Sequence, residues 1–215
     1  MKALVVGATG AVGAQVVKQL VAREDIREVH VFVRRPKTYL SPKVVVHVVD
    51  FDEPREWGHL LEGDLLISAM GTSLGQAGSK EKQWTVDYTY QYEAARMAAQ
   101  QGVKKYGLVS SVGANSSSPF FYLSMKGQLD EAVCALPFES VVIIKPATLI
   151  RDEPRLVEKA SHTILGAINK LGVLKSQEPV STEMVARVLV NATVEQQYGI
   201  SVIENITIHK RSEYF

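Results

Sequence analysis

Tyr122 and Lys126 are the residues of this sequence best placed to do chemistry. They stand four apart in Tyr122-Leu123-Ser124-Met125-Lys126, a segment of helical period, so phenol and ammonium share one helical face. A free tyrosine titrates near pH ~10, too high for proton transfer at neutrality. A cation alongside favours the phenolate and brings that value down. A Tyr/Lys pair at this spacing also arises by chance, as a packed ring beside a solvated lysine. Ser111 sharpens the reading. It closes the preceding strand pattern, where its hydroxyl could polarise a carbonyl while Tyr122 donates a proton. Ser110 could serve instead, or both could only terminate the strand.

Reduction of a carbonyl needs a hydride source, and Val5-Val6-Gly7-Ala8-Thr9-Gly10-Ala11-Val12-Gly13 offers a place for one. The three glycines follow an apolar run and open a helical pattern. Gly7 permits a sharp turn, Gly10 lets a phosphate approach the backbone, and Gly13 allows close packing of helix and strand. The free N–H groups of the helix start, with its dipole, would then face a pyrophosphate. The spacing is G-x-x-G-x-x-G, not the commoner G-x-G-x-x-G, and gains weight from its strand-to-helix context. The second strand ends Val33-Arg34-Arg35, two cations and no acid. Guanidinium groups grip a 2′-phosphate that a carboxylate would repel, which favours NADP(H) over NAD(H). Lys126 could bond the nicotinamide ribose and fix the ring beside Tyr122. Asp50, at the end of the third strand, could meet the adenine amino group or be a polar strand terminus.

The elements that must position these residues alternate between short β-branched runs and helical segments, the pattern of βαβ units in a parallel sheet. Strands are expected over 2–6, 29–33, 44–49, 65–70, 106–111 and 140–145, with a late strand over 202–208. Helices are expected over 11–23, 54–61, 84–101 (closed by Gly102), from near Pro119 to about 136, and over 156–171 and 182–195. Residues 71–82, rich in Gly and Ser, read as a loop, and 72–83 could act as a lid or be an ordinary surface connection. The fold class is α/β: a single Rossmann-like domain over 1–215, doubly wound, with a small C-terminal substrate-side part from about 147. The pocket at Tyr122 is then small or open, and a second subunit could complete it as a homodimer.

Composition narrows the classes. The chain has 215 residues, 46% hydrophobic and 22% charged, with a net charge of +1, so no basic excess points to nucleic acid. The single cysteine, Cys134, cannot form an internal disulfide and fits a reducing compartment. Five histidines without ligand spacing argue against a metal site. No apolar run reaches the roughly 20 residues that span a bilayer. The first residues lead straight into a strand pattern with no secretory leader. The expectation is a cytoplasmic protein without metal, membrane or nucleic-acid partner.

Taken in order, Gly7-Ala8-Thr9-Gly10-Ala11-Val12-Gly13, Ser110-Ser111 and Tyr122-x-x-x-Lys126 resemble the short-chain dehydrogenase/reductase superfamily. Arg34-Arg35, Val49-Asp50-Phe51, Gly71-Thr72, Gly75-x-Ala77-Gly78 and Phe121-Tyr122-Leu123-x-x-Lys126-Gly127 resemble its atypical members related to the HIV Tat-interactive oxidoreductase. The likeness runs from the first strand to about Pro146, with weaker traces to about Ala192. It implies NADPH contacts at Thr9, Gly10, Ala11 and Val12 in the turn, and at Arg34 and Arg35 on the 2′-phosphate. It also implies Phe51, Met70, Gly71 and Thr72 near the adenosine or pyrophosphate, and Tyr122 and Lys126 at the ribose and ring. Pro146 and Leu149 would follow the sixth strand, with a further arginine at Arg155, for which Arg151 is the rival. The implied activity is NADPH-dependent reduction of a small carbonyl compound. A regulatory or scaffold protein that senses NADP(H) is the competing class.

Overall fold

The computed structural model describes residues 1–150 and 178–212. Nine strands lie among them: β1 Lys2–Val6, β2 Glu28–Val33, β3 Val44–Val48, β4 Leu65–Ser68, β5 Lys105–Val109, β6 Ser140–Lys145, β7 Leu149–Ile150, β8 Val180–Ser181 and β9 Gly199–Glu204. Seven of them form one sheet in the order β3-β2-β1-β4-β5-β6-β9, and every pairing in it is parallel. β7 and β8 pair separately. This is a Rossmann-like α/β sheet, as the alternation of patterns requires.

Period-two alternation sends the strand residues to two separate cores. Val5, Val31 and Ile67 pack with Val12, Val16 and Leu20 of α1 (Ala11–Ala22) and with Val185 and Leu189 of α7 (Thr182–Glu195). Leu4, Phe32, Leu66 and Leu108 pack on the other side with Trp57 of α2 (Pro54–Trp57). The same core takes in Ala94 and Ala98 of α5 (Tyr90–Gln100) and Leu129 and Val133 of α6 (Phe121–Cys134). Covered on both faces, the central strands can be apolar throughout.

Three elements differ from the sequence reading. Residues 71–82 hold the short helix α3 (Leu74–Ala77) and the start of α4 (Lys80–Trp84), capped by Ser73 and Ser79, whose side chains accept from Gln76 N and Lys82 N. Ser73 and Gln76 form a reciprocal capping box. The helix expected over 84–101 is broken by a π-turn, Thr85–Thr89, before α5. The late strand is β9, and it gives way to α8 (Asn205–Ser212). Ile206 is 47% exposed while Ile208 is buried, which a strand carrying both on one face could not achieve. The helix expected over 156–171 lies outside the described residues. Among the described residues, no helix is long and apolar enough to cross a membrane.

Candidate functional site

The carboxyl ends of the strands gather the candidate residues where the strand order reverses, between β1 and β4. Gly7 has φ +81°, and a Cβ there would stand 2.5 Å from the Ala69 carbonyl carbon and the Met70 nitrogen. Only glycine lets the two strand ends approach so closely. A Cβ on Gly13 would fall on the Gly7 carbonyl oxygen, so this glycine seats α1 on the turn itself. Gly10 N donates to Gly7 O at 2.9 Å and caps α1, without a side-chain cap and without an acid in the first turn. Ala11 and Val12 therefore offer uncapped backbone N–H groups, a site suited to an anion. Val12 has its side chain buried and Thr9 is exposed.

Beyond β2, Arg34 and Arg35 are exposed and, with Thr9, Pro36 and Lys37, line a cleft of about 430 Å³. Lys37, a third cation, was not foreseen from the sequence. Asp50 follows β3, its Oδ1 accepting from Asp52 N at 2.9 Å, and Tyr90 donates to Asp52 Oδ1 at 2.6 Å. Burial first, then Asp52 and Asp50, push the Tyr90 phenol up to about 12, and Arg34 pulls it the other way. Arg34, Asp50 and Asp52 thus converge on one ring. Phe51 is 5% exposed, its ring packed against Trp57 and Tyr90, so it shapes this wall from within.

Tyr122 is in the first turn of α6 and 38% exposed, whereas Lys126, one turn on, is 2% exposed. The Lys126 ammonium is 3.5 Å from Asp87 Oδ1, and Asp87, on the π-turn, is 1% exposed. Asp87 Oδ2 accepts from Thr72 N at 2.9 Å. Burial pushes the Asp87 carboxyl above the usual aspartate range; Lys126 and the Thr72 N–H oppose it. The Thr72 amide is committed to that carboxylate. Gln83 donates to Thr72 O at 3.1 Å, Gly71 is exposed and Met70 half-buried against the α5-side core. The serines part company: Ser110 is 5% exposed beside Asp130, while Ser111 is half-buried and donates to Val112 O at 3.3 Å. Both follow the end of β5, and Ser111 is the more exposed of the two. Pro146 is buried and accepts from Val112 N at 3.0 Å, and Leu149 lies half-buried on β7. Arg151 and Arg155 lie outside the described residues. Among the described residues, no group of three or more His, Cys, Asp or Glu is arranged to hold a metal ion.

Asp87 escaped the sequence reading because a carboxylate inside a helical segment usually faces water. The available signal was its place between Val86 and Tyr88, on a helix whose other side had to be buried.

The profile of NAD(P)H-binding proteins matches residues 7–196 of the chain. Protein FMP52-1, mitochondrial, from Scheffersomyces stipitis is 34% identical over 211 residues, covering 91% of this chain and 89% of that relative. Among solved structures, the oxidoreductase ylbE from Lactococcus lactis superposes with a TM-score of 0.69 at 19% identity, over 100% of this chain and 96% of that one. MoeE5 in complex with UDP-glucose and NAD superposes with a TM-score of 0.73 at 14% identity, over 100% and 81%. At such identities the two structures speak for the fold alone. The relatives correct one expectation. Proteins of this group in Scheffersomyces stipitis, Candida albicans and Emericella nidulans are named as mitochondrial, so the cytoplasmic assignment does not stand. Its grounds, a lone cysteine and a strand pattern at the first residues, do not tell a reducing cytosol from a mitochondrial setting. With its glycine turn at the β1–β4 switch point, the chain belongs to the NAD(P)H-binding family and is a relative of the FMP52 proteins.

Proposed function

We propose that the protein is an NADPH-dependent oxidoreductase of the short-chain dehydrogenase/reductase type, akin to the HIV Tat-interactive oxidoreductase group, reducing a small carbonyl compound. We read it as one dinucleotide-binding domain, working in the mitochondrial setting that its relatives' names indicate. The observation that carries the reading is the part-exposed Tyr122 one turn before Lys126 on α6, whose buried ammonium pairs with Asp87 of the π-turn, at the sheet edge that holds the glycine turn.

The residues fit the cofactor. The uncapped start of α1 suits a pyrophosphate, and the cleft of Thr9, Arg34, Arg35 and Lys37 suits a 2′-phosphate. When bound, NADPH supplies a hydride. Tyr122 donates the proton to the forming alkoxide, and Ser111 polarises the carbonyl oxygen. Lys126 holds positive charge beneath Tyr122, and Asp87, itself tied to the Thr72 amide, keeps that ammonium in place.

Calorimetric titration with NADPH and NADH tests the cofactor. NADPH should bind more tightly, and Arg34→Ala/Arg35→Ala should abolish the preference. The loss should be roughly 1.5–3 kcal/mol, about 10- to 150-fold in affinity. Equal affinities in the unmodified protein would sink the NADP assignment. A panel of aldehydes, ketones and quinones then tests the chemistry, and full turnover by Tyr122→Phe would remove its role as acid. Tight binding with no turnover on any of them would instead favour a sensor of NADP(H).

A further inference from the structure

The proposed chemistry leaves a second charged pair behind Tyr122 unused. Asp130, one turn past Lys126 on α6, is 7% exposed. Lys145, the last residue of β6, brings its ammonium to 3.2 Å from Asp130 Oδ2 and donates to the Ala114 carbonyl at 3.3 Å. Ala114 ends a turn that begins at Ser111: its N–H donates to Ser111 O at 3.1 Å, and Gly113, in the third position, has φ +77°. That conformation is the one a type II turn assigns to glycine. The turn is strapped on both sides. Val112 N bonds Pro146 O at 3.0 Å on the β6 side, and Asn115 N bonds Leu123 O at 3.1 Å on the α6 side.

The groups around the Asp130 carboxylate come from three elements. Tyr106 faces it from β5 and Ser110 from just past that strand's end, Lys145 from β6, and Lys126 and Cys134 from its own helix. Burial raises its pKa above the usual aspartate range, opposed by Ser110, Lys145 and Lys126. The Lys145 side chain is 16% exposed. An ammonium so poorly solvated keeps its place only with a counter-charge nearby. Asp130 supplies it, and the ammonium's other contact is the carbonyl of the Ser111 turn.

We propose that Asp130 is a positioning residue: acting through Lys145, it holds the Ser111–Ala114 turn against β6 and α6 and so sets where the Ser111 hydroxyl stands. Its functional half rests on the reading of Ser111 given above; the strap does not. A carboxylate that merely neutralised charge would stabilise the fold without a particular effect on this turn.

Hydrogen exchange by mass spectrometry on the cofactor-free protein distinguishes the two. In Asp130→Asn and in Lys145→Met, the amides of residues 111–116 should exchange at least about tenfold faster, with β5 unchanged. The double variant should be no faster than either single one, because both break the same strap. Unchanged exchange at 111–116 in the single variants, or additive acceleration in the double, overturns the proposal. If Asp130→Asn does not fold, Lys145→Met alone cuts the strap at its more accessible end and decides in the same way. With NADPH and an ortho-quinone as probes, kcat should fall at least about tenfold in Lys145→Met, with KM for NADPH within about twofold. Loosened exchange with unchanged kcat would overturn the role of the turn in placing Ser111. Failure to bind NADPH sinks the proposed function and leaves the exchange result intact.

Discussion

Replacing Lys126 by methionine keeps the aliphatic stem and removes the ammonium from a pair whose side chains are 3% and 1% exposed. Asp87 would then sit in the interior with the Thr72 N–H but without its counter-ion. Removing one partner of such a pair costs about 3–5 kcal/mol, which for a domain of this size lowers Tm by roughly 6–20 °C. The Thr72 hydrogen bond places the expectation in the lower half of that range. The pH dependence has a defined sign. Burial raises the folded pKa of Asp87 above its unfolded value, more so once Lys126 is gone. Its contribution is then complete below the ordinary aspartate range and is lost as pH rises through the folded value. The deficit of Lys126→Met should therefore be small in acid and widen toward neutrality. Asp87→Asn/Lys126→Met, which strands no charge, should recover most of it. Urea unfolding of the three proteins across pH 4 to 8 (about one pH unit per step, spanning the aspartate range) is the assay. A deficit below about 1 kcal/mol that is flat with pH, the behaviour of an exposed pair, would refute the reasoning.

Gly13→Ala should lower stability by about 1–3 kcal/mol, because its Cβ would meet the Gly7 carbonyl and both partners are backbone. It should weaken NADPH binding too; unfolding curves and titrations indistinguishable from the parent would remove the glycine's role. Tyr90→Phe concerns the alkaline limb. The Tyr90 phenol has its pKa raised from 10.0 to about 12, so its contribution persists below pH 10 and fades as pH rises toward 12. The phenylalanine variant should show a shallower alkaline loss of stability, and an unchanged slope would mean that the Tyr90–Asp52 bond carries no such weight.

The sheet was largely legible because its central strands are buried on both faces and so carry unbroken apolar runs, such as Leu65-Leu66-Ile67. The helix over Thr182–Glu195 was readable from end to end, since its apolar spacing starts at a capping Ser181 and stops before Gln196. The glycine turn could be read because Gly7 and Gly13 answer to backbone geometry, which leaves few alternatives to glycine. Residues 71–82 misled because Gly and Ser are loop formers by composition, whereas Ser73 and Ser79 act here as helix caps. Asp87 and Asp130 were missed for a different reason. A charge is buried only when a partner from elsewhere in the chain meets it, and Lys126 and Lys145 stand 39 and 15 residues away. Such pairings are tertiary facts. Lys37 was overlooked beside the two arginines, although Val33-Arg34-Arg35-Pro36-Lys37 places it within reach of the same cleft.

The π-turn at Thr85–Thr89 has a consequence for how this segment could change in length. A π-turn holds one residue more than the α-helical turn it replaces, at nearly the same axial advance. Deleting a single residue between Thr85 and Thr89 would let the turn close as an ordinary α-helical one, with the flanking helices still in phase and only the residues of the turn itself displaced. The sheet would not feel it. Lys80–Trp84 and the Ser79 cap would keep their phase, whereas Asp87, inside the turn, would leave its lysine. The surplus residue thus aims one carboxylate, and a shortened helix should yield a folded protein with its Lys126 unaccompanied.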